Sequence, residues 1–293
     1  MENRVLRYFL AVAREENITK ASESLHVTQP TLSKQLMDLE DELGTKLFIR
    51  GKCKITLTED GVYLRKRAQE IIELVDKTEG EFNERGNVIS GDIYIGGGET
   101  QAMRLIAKAV KSLRDDYPDI RYHLYSGNAD ALMERMDKGL LDFGVLIEPA
   151  NIKKYDYIKL PSVDTWGVLM RKDHPFAGKS GIRPEDMEQL DLIVSSQSMV
   201  ENGFSGWMGK DFDQLNIIAH YNLIYNAALM VEEGVGCALT LDKLVNMYQE
   251  SGDLTFVPLE PRMESGLNIV WKKYQVFSKA AEKFLEKLQE SFL

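Results

Sequence analysis

Cysteine is scarce: only Cys53 and Cys237 occur in 293 residues. Two thiols build no disulfide framework, and free thiols suit a reducing compartment. Histidine is scarce too, with four residues, at positions 26, 123, 174 and 220. None stands at ligand spacing from a cysteine or another histidine, so neither a metal site nor a cofactor is expected. No stretch approaches the roughly 20 apolar residues that a membrane-spanning helix needs. The opening MENRVLRYFLAVAREEN has its apolar face broken by Arg4, Arg7, Arg14 and Glu15, unlike a signal peptide. The expectation is a cytoplasmic protein without a membrane partner. Catalytic signatures are missing as well: there is no Gly-x-Ser-x-Gly elbow, no paired His and no activated Cys context. No catalytic residue is assigned and an enzyme is not expected. Internal repeats and low-complexity segments are also lacking.

What is present is ordinary globular material, 44% hydrophobic and 28% charged, in a length that implies two or three compact units. The formal net charge of −10 argues, taken alone, against nucleic acid. The average conceals a pattern. Lys46, Arg50, Lys52 and Lys54 share a stretch without an acid, Arg65, Lys66 and Arg67 form a second basic knot, and the acidic excess lies mostly after residue 87. DNA feels the local field, within a Debye length of about 8 Å at physiological salt.

Apolar residues recur at helical spacing from Asn3 to Glu16, through Leu6, Phe9, Leu10 and Ala13. Asn17 and Thr19 offer an N-cap for a short second helix over 20–25. His26-Val27-Thr28 reads as a turn. Pro30 suits the first turn of a third helix, with Leu32, Leu36, Leu39 and Leu43 as its expected buried stripe and Gly44 as its terminator. Lys46 to Leu57 reads as a two-stranded wing turning at Gly51-Lys52, anchored by Phe48 and Ile55. A long helix over 58–85 carries Leu64, Ala68, Ile71, Val75, Thr78 and Phe82 at spacings of 4, 3, 4, 3, 4. That is a heptad seam, so Leu64, Ala68, Ile71, Val75 and Phe82 are the candidate dimerisation residues. Packing of this helix on its own domain is the alternative.

After a Gly/Asn/Ser linker at 86–91 the pattern changes to strands alternating with helices: GDIYIGG, IRYHLYSG and LDFGVLI, then TWGVLMR, DLIVS, NIIAHY, GCALT and LNIVW. Such alternation argues for parallel sheets with crossover helices.

The second helix of a helix-turn-helix lays its N-terminal residues against base edges in the major groove. Here these are Thr28, Gln29, Pro30, Thr31, Leu32, Ser33, Lys34 and Gln35, with Arg50 and Lys52 on the wing as backbone grips. Gln and Lys suit base edges; Ser and Thr serve bases or phosphates. A three-helix bundle without a ligand fits the same periodicity. The run ITKASESLHVTQPTLSKQLMDLEDELGTKLFIR resembles the helix-turn-helix of LysR-type transcriptional regulators. Ala21, Leu25, Gln29, Pro30, Ser33, Leu39, Glu40, Leu43, Gly44, Leu47, Phe48, Arg50, Leu57, Thr58 and Gly61 sit where that family's pattern puts them. KGLLDFGVLI, His174-Pro175 and MVEEGVGCALT extend the likeness along the chain. One departure is visible: the wing reads GKCKI where the family usually carries another Arg soon after Arg50.

The resemblance implies a winged helix-turn-helix over 1–58, a linker and dimerisation helix over 59–86, and an effector domain over 87–293. That α/β domain would be similar to periplasmic solute-binding proteins, with lobe I at 91–160 and 267–293 and lobe II at 161–266. It implies a sequence-specific promoter-binding regulator modulated by a small effector. Double-stranded promoter DNA, a second and further copies of the chain (a homodimer or homotetramer) and RNA polymerase are its expected partners. Ligands of open α/β sheets sit beyond the carboxyl ends of the strands, near helix N-termini. The candidates there are Glu99, Thr100, Gln101, Asn128, Glu148, Ser195, Ser196, Asn222 and Asn226. Each also suits an ordinary cap or turn. Glu99, joined by Glu148, would repel an anion, so a neutral or amino-bearing effector is expected. A solute-binding protein without the head, or an enzyme on the α/β domain, are the rival classes.

Overall fold

The computed structural model describes residues 1–51, 54–83, 89–196, 198–209, 212–245 and 253–292. It divides into two units, Met1–Asn83 and Glu84–Leu293.

In the first unit, α1 (Asn3–Glu15) buries Val5, Leu6, Phe9, Ala11 and Val12 and ends on left-handed Glu16. Asn17 caps α2 (Ile18–Ser24), its side chain accepting from the Lys20 N–H. Thr28 caps α3 (Gln29–Leu43), and Pro30 occupies the first turn, where its missing N–H has no helical partner to lose. Gly44 closes α3 at φ 69°, a conformation that costs glycine little. Leu32, Leu36 and Leu39 are buried as the periodicity predicts, but Leu43 is 42% exposed and Glu40 turns inward. The reason lies in the wing. Strands β1 (Phe48–Arg50) and β2 (Ile55–Leu57) pair antiparallel, and the Leu47 and Phe48 N–H groups donate to Glu40 Oε1 at 2.8 and 3.3 Å. These bonds draw the chain over Glu40, one turn short of Leu43. The Gly51 N–H donates to the Lys54 carbonyl at the wing's tip, and the Phe48 ring lies 5.2 Å from that of Phe9.

The long helix α4 (Glu59–Asn83) corrects the expected seam. Leu64 and Ala68 are buried within the head's own core, together with Ile72, which the heptad omitted. Ile71 and Leu74 are exposed and Val75 is half-buried; the Phe82 side chain lies outside the described residues. A straight helix turns about 100° per residue, so a 4-3 repeat drifts across its surface. The first turns of α4 pack Leu64 and Ala68 into the head and leave Val62 and Tyr63 exposed, and farther along Ile71 and Leu74 turn outward.

The second unit runs β3 (Gly91–Gly97), α5 (Met103–Asp116), β4 (Ile120–Ser126), α6 (Ala129–Asp137), β5 (Phe143–Ile147), β6 (Tyr155–Arg171), α7 (Pro184–Met187), β7 (Leu192–Ser195), α8 (Ser198–Met208), β8 (Ile217–Tyr221), α9 (Ile224–Glu232), β9 (Cys237–Leu241), β10 (Leu254–Pro258), β11 (Glu264–Lys272) and α10 (Lys279–Phe292). The strand order is β4-β3-β5-β11-β6-β9-β7-β8, with β10 on β6. β3 is parallel to β4 and β5, and β7 to β8 and β9. The sheets are nevertheless mixed, because β6 and β11 run antiparallel to their neighbours. β6 pairs with β11 up to Thr165, then with β9 and β10 from Trp166 and Gly167 onward, so these two strands tie two lobes together. One lobe packs Phe143, Phe284 and Ile95 between sheet and helices α5 and α10; the other packs Trp166, Phe204 and Val168. Each lobe has a second apolar layer on its other face, under α6 and α9 respectively. Helices therefore cover both faces of each sheet, as parallel pairing requires.

Candidate nucleic-acid interface and interlobe cavity

The N-terminus of α3 is presented to solvent while its opposite face is held in the core. Thr28, Gln29, Pro30, Thr31 and Lys34 are exposed, Ser33 and Gln35 half-buried, and Leu32 buried. Thr28 serves its helix first: its hydroxyl accepts from the Thr31 N–H at 3.4 Å and lies 2.8 Å from the Thr31 hydroxyl. Thr19 Oγ1 donates to Gln29 Oε1 at 3.5 Å, steadying that side chain from α2. Arg50 ends β1, and its side chain lies outside what is described, as does the whole of Lys52. Folding changes the basic stretch around the wing. Lys46 pairs with Glu40 at 2.9 Å and Lys54 with Glu16 at 2.6 Å. The stretch carries no acid in sequence, but two acids reach it in space.

Glu40 holds this arrangement together. Its side chain is 7% exposed. Three hydrogen bonds to its charged form, from Lys46 and from the Leu47 and Phe48 backbone, offset the burial that would raise its pKa, which therefore falls below the ordinary value. Gly61 secures the other side of the wing: a Cβ there would stand 2.2 Å from the Leu47 carbonyl oxygen.

In the second unit a cavity of about 60 Å³ opens between the lobes, where strand ends and two helix N-termini meet. Of the expected residues, Glu99, Asn128, Glu148, Ser195 and Asn222 line it; Thr100, Gln101, Ser196 and Asn226 do not. Thr100 is 7% exposed, with its hydroxyl accepting from the Ala102 N–H and close enough to Asp164 to favour that carboxylate's charged form. Gln101 bridges the lobes instead, its Nε2 donating to the Lys243 carbonyl at 2.6 Å. Ser196 and Asn226 are exposed, and the Ser196 N–H donates to the Tyr221 carbonyl. Sequence reasoning missed Trp166, Tyr221 and Thr240, which complete the wall. The aromatics at the ends of TWGVLMR and NIIAHY were the available signal.

Three polar groups are fixed firmly. Asn128 Oδ1 accepts from the Ala131 N–H and caps α6. Glu99 Oε2, from one lobe, accepts from the Ile224 N–H that opens α9 in the other, at 2.5 Å. Burial raises the Glu99 pKa, and the Ile224 hydrogen bond opposes the rise. Glu148 Oε1 accepts from Asn268 Nδ2 at 2.8 Å, and Asn268 is 1% exposed. Among the described residues no group of His, Cys, Asp and Glu could hold a metal ion, and no helix is long and apolar enough to cross a membrane.

Comparison with known proteins agrees with this geometry. Residues 3–62 match the bacterial regulatory helix-turn-helix proteins of the lysR family, and residues 86–293 the LysR substrate binding domain. The chain is 29% identical over 301 residues to the Hca operon transcriptional activator HcaR of Escherichia coli K12, covering 99% of this chain and 98% of that one. It is 28% identical over 276 residues to the dual regulator OxyR of the same organism, covering 91% and 88%. The fold is that of CbnR in complex with its target DNA, with a TM-score of 0.74 at 19% identity over 99% of this chain and 100% of that one. With both matched segments spanning nearly its whole length, the chain belongs to the LysR family and is a DNA-binding transcriptional regulator.

Proposed function

We propose that this regulator reads promoter duplex through Gln29, Thr31, Ser33, Lys34 and Gln35, with Thr28 and Pro30 shaping the helix start and Arg50 and Lys52 gripping flanking phosphates. The observation that carries the reading is the exposed first turn of α3, set on a buried Leu32-Leu36-Leu39 stripe and braced by Glu40. The solved CbnR complex with its target DNA supports it by likeness of fold. The division of labour is a reading head at 1–58, a linking and pairing helix at 59–86 and an effector domain at 87–293. The protein acts in the cytoplasm as a homodimer or homotetramer, and RNA polymerase is its partner at the promoter.

Two heads in a symmetric dimer reach half-sites about one helical turn, roughly 10 base pairs, or a multiple of it apart. The effector occupies the interlobe cavity. The lobes are bridged at the cavity by Glu99 to the Ile224 N–H and outside its lining by Gln101 to the Lys243 carbonyl, so a ligand that alters the first contact alters how the lobes close. It shifts the equilibrium only by its difference in affinity for the two arrangements.

A gel-shift of the full-length protein with genomic fragments, in excess nonspecific duplex and with a metabolite panel, tests the reading. A few fragments retained, with at least one mobility or affinity changed by a metabolite, is the expected result. Uniform retention of all fragments, unaffected by any compound, would contradict it.

A further inference from the structure

We propose that the interlobe cavity selects a small ammonium-bearing ligand over a carboxylate of the same size. The inference rests on the reading of that cavity as the effector site. Helix N-termini favour anions, and two of them reach this cavity, at α6 and α9. Both are already supplied by the chain. The Asn128 side chain takes the Ala131 N–H, and the Glu99 carboxylate takes the Ile224 N–H. Glu99 thus stands where an acidic ligand would bind α9, and its charge is offset by the helix end.

Glu148 remains. Buried Asn268 orients its Oε1, and its Oε2 packs on Gly266, where a Cβ would come within 2.5 Å. The carboxylate is therefore seated by a site that leaves room for it. Among the described residues no Lys, Arg or His lines the cavity. An ammonium offers three donors and no acceptor, which matches this inventory. The aromatic rings of Trp166 and Tyr221 in the wall add surfaces that attract a cation. Of the remaining wall, Leu132, Val145 and Leu241 suit a short alkyl body, and Ser195, Asn222 and Thr240 add neutral polar groups. The cavity volume of about 60 Å³ limits the ligand in this conformation to a small one.

The test is ligand-observed saturation-transfer NMR on the full-length protein with n-butylammonium, 1-butanol and butyrate, each titrated to 50 mM at neutral pH. The expected result is n-butylammonium binding at least tenfold more tightly than butyrate, with the preference falling below threefold in Glu148→Gln. Circular dichroism and retained duplex binding establish that the variant is folded. Butyrate binding equally or more tightly, no amine binding at 50 mM, or an amine preference unchanged in folded Glu148→Gln would overturn the charge assignment. Gly98→Leu, which places a side chain in the cavity, separates this from failure of the site itself. If butyrate binds the wild type at least as tightly as the amine and Gly98→Leu abolishes that binding, the site stands and the charge assignment is refuted. Amine binding that survives Gly98→Leu would place the ligand elsewhere and refute both.

Discussion

Replacing Glu40 by alanine should uncouple the wing from the recognition helix. The side chain is buried, and three donors converge on it: Leu47 N–H at 2.8 Å, Phe48 N–H at 3.3 Å and Lys46 Nζ at 2.9 Å. The Lys46 contact is worth little, because the ammonium is mostly exposed. The two backbone donors matter more. Leaving each unsatisfied costs about 1–3 kcal/mol, and part is recovered because the carboxylate need no longer be desolvated, so a net loss of about 2–4 kcal/mol follows. At about 1.36 kcal/mol per decade that is roughly 30- to 1000-fold faster amide exchange at Leu47. Hydrogen exchange of the peptide spanning 45–58, in the full-length protein, reads it directly. Glu40→Gln keeps one acceptor and should lose only about 1 kcal/mol. The pKa of Glu40 is lowered on folding, so its contribution is complete above the unfolded value of about 4.5 and disappears as pH falls through the lower folded value. Wing exchange in the wild type should therefore accelerate as pH drops below 4.5, after correction for intrinsic rates, and this extra acceleration should vanish in Glu40→Gln. Wild-type exchange in Glu40→Ala would refute the reasoning.

Other substitutions separate folding from pairing and from reading. Leu64→Lys buries an ammonium in the head's core and should destabilise it by about 3 kcal/mol or more, whereas Ile71→Lys on the exposed side of α4 should leave the head folded and lower the sedimenting mass. A dimeric Ile71→Lys would move the pairing surface elsewhere. Gly61→Ala forces a Cβ against the Leu47 carbonyl and should cost about 1–3 kcal/mol by overpacking, read as faster exchange over 45–61. A variant as protected as the wild type would show that α4 shifts freely. Gln29→Ala should cost about 1–3 kcal/mol at one base position, while Lys52→Ala should weaken all sequences alike and lower the salt slope by about 1. Anisotropy titrations over a salt series distinguish the two patterns, and reversed patterns would reassign the contacts.

Much of this was legible beforehand where local rules and tertiary demand coincide. Asn17, Thr28, Pro30 and Gly44 announce helix ends through their own backbone and capping chemistry. The strand-helix alternation beyond residue 90 follows from periodicity alone. The failures share another cause, which is that a neighbour distant in sequence decides the outcome. Leu43 stays exposed because the wing is pulled over Glu40, and Leu64 and Ala68 are claimed by α1 before any partner can reach them. Thr100 is buried close to Asp164 on the crossing strand, and nothing near it in the chain signals that neighbour. β10, α8 and the first half of β6 have weak patterns of their own. β10 is stabilised as an antiparallel partner of β6, a ladder that cannot be seen from five residues.

The most direct test of the account is a footprint of the full-length protein on duplex genomic fragments that it selects from a random pool. Two protected half-sites on one face of the duplex, lost on Gln29→Ala with Lys34→Ala at unchanged fold, is the predicted result. Protection without a preferred sequence, or protection indifferent to the α3 substitutions, would contradict the claim that the first turn of α3 reads DNA.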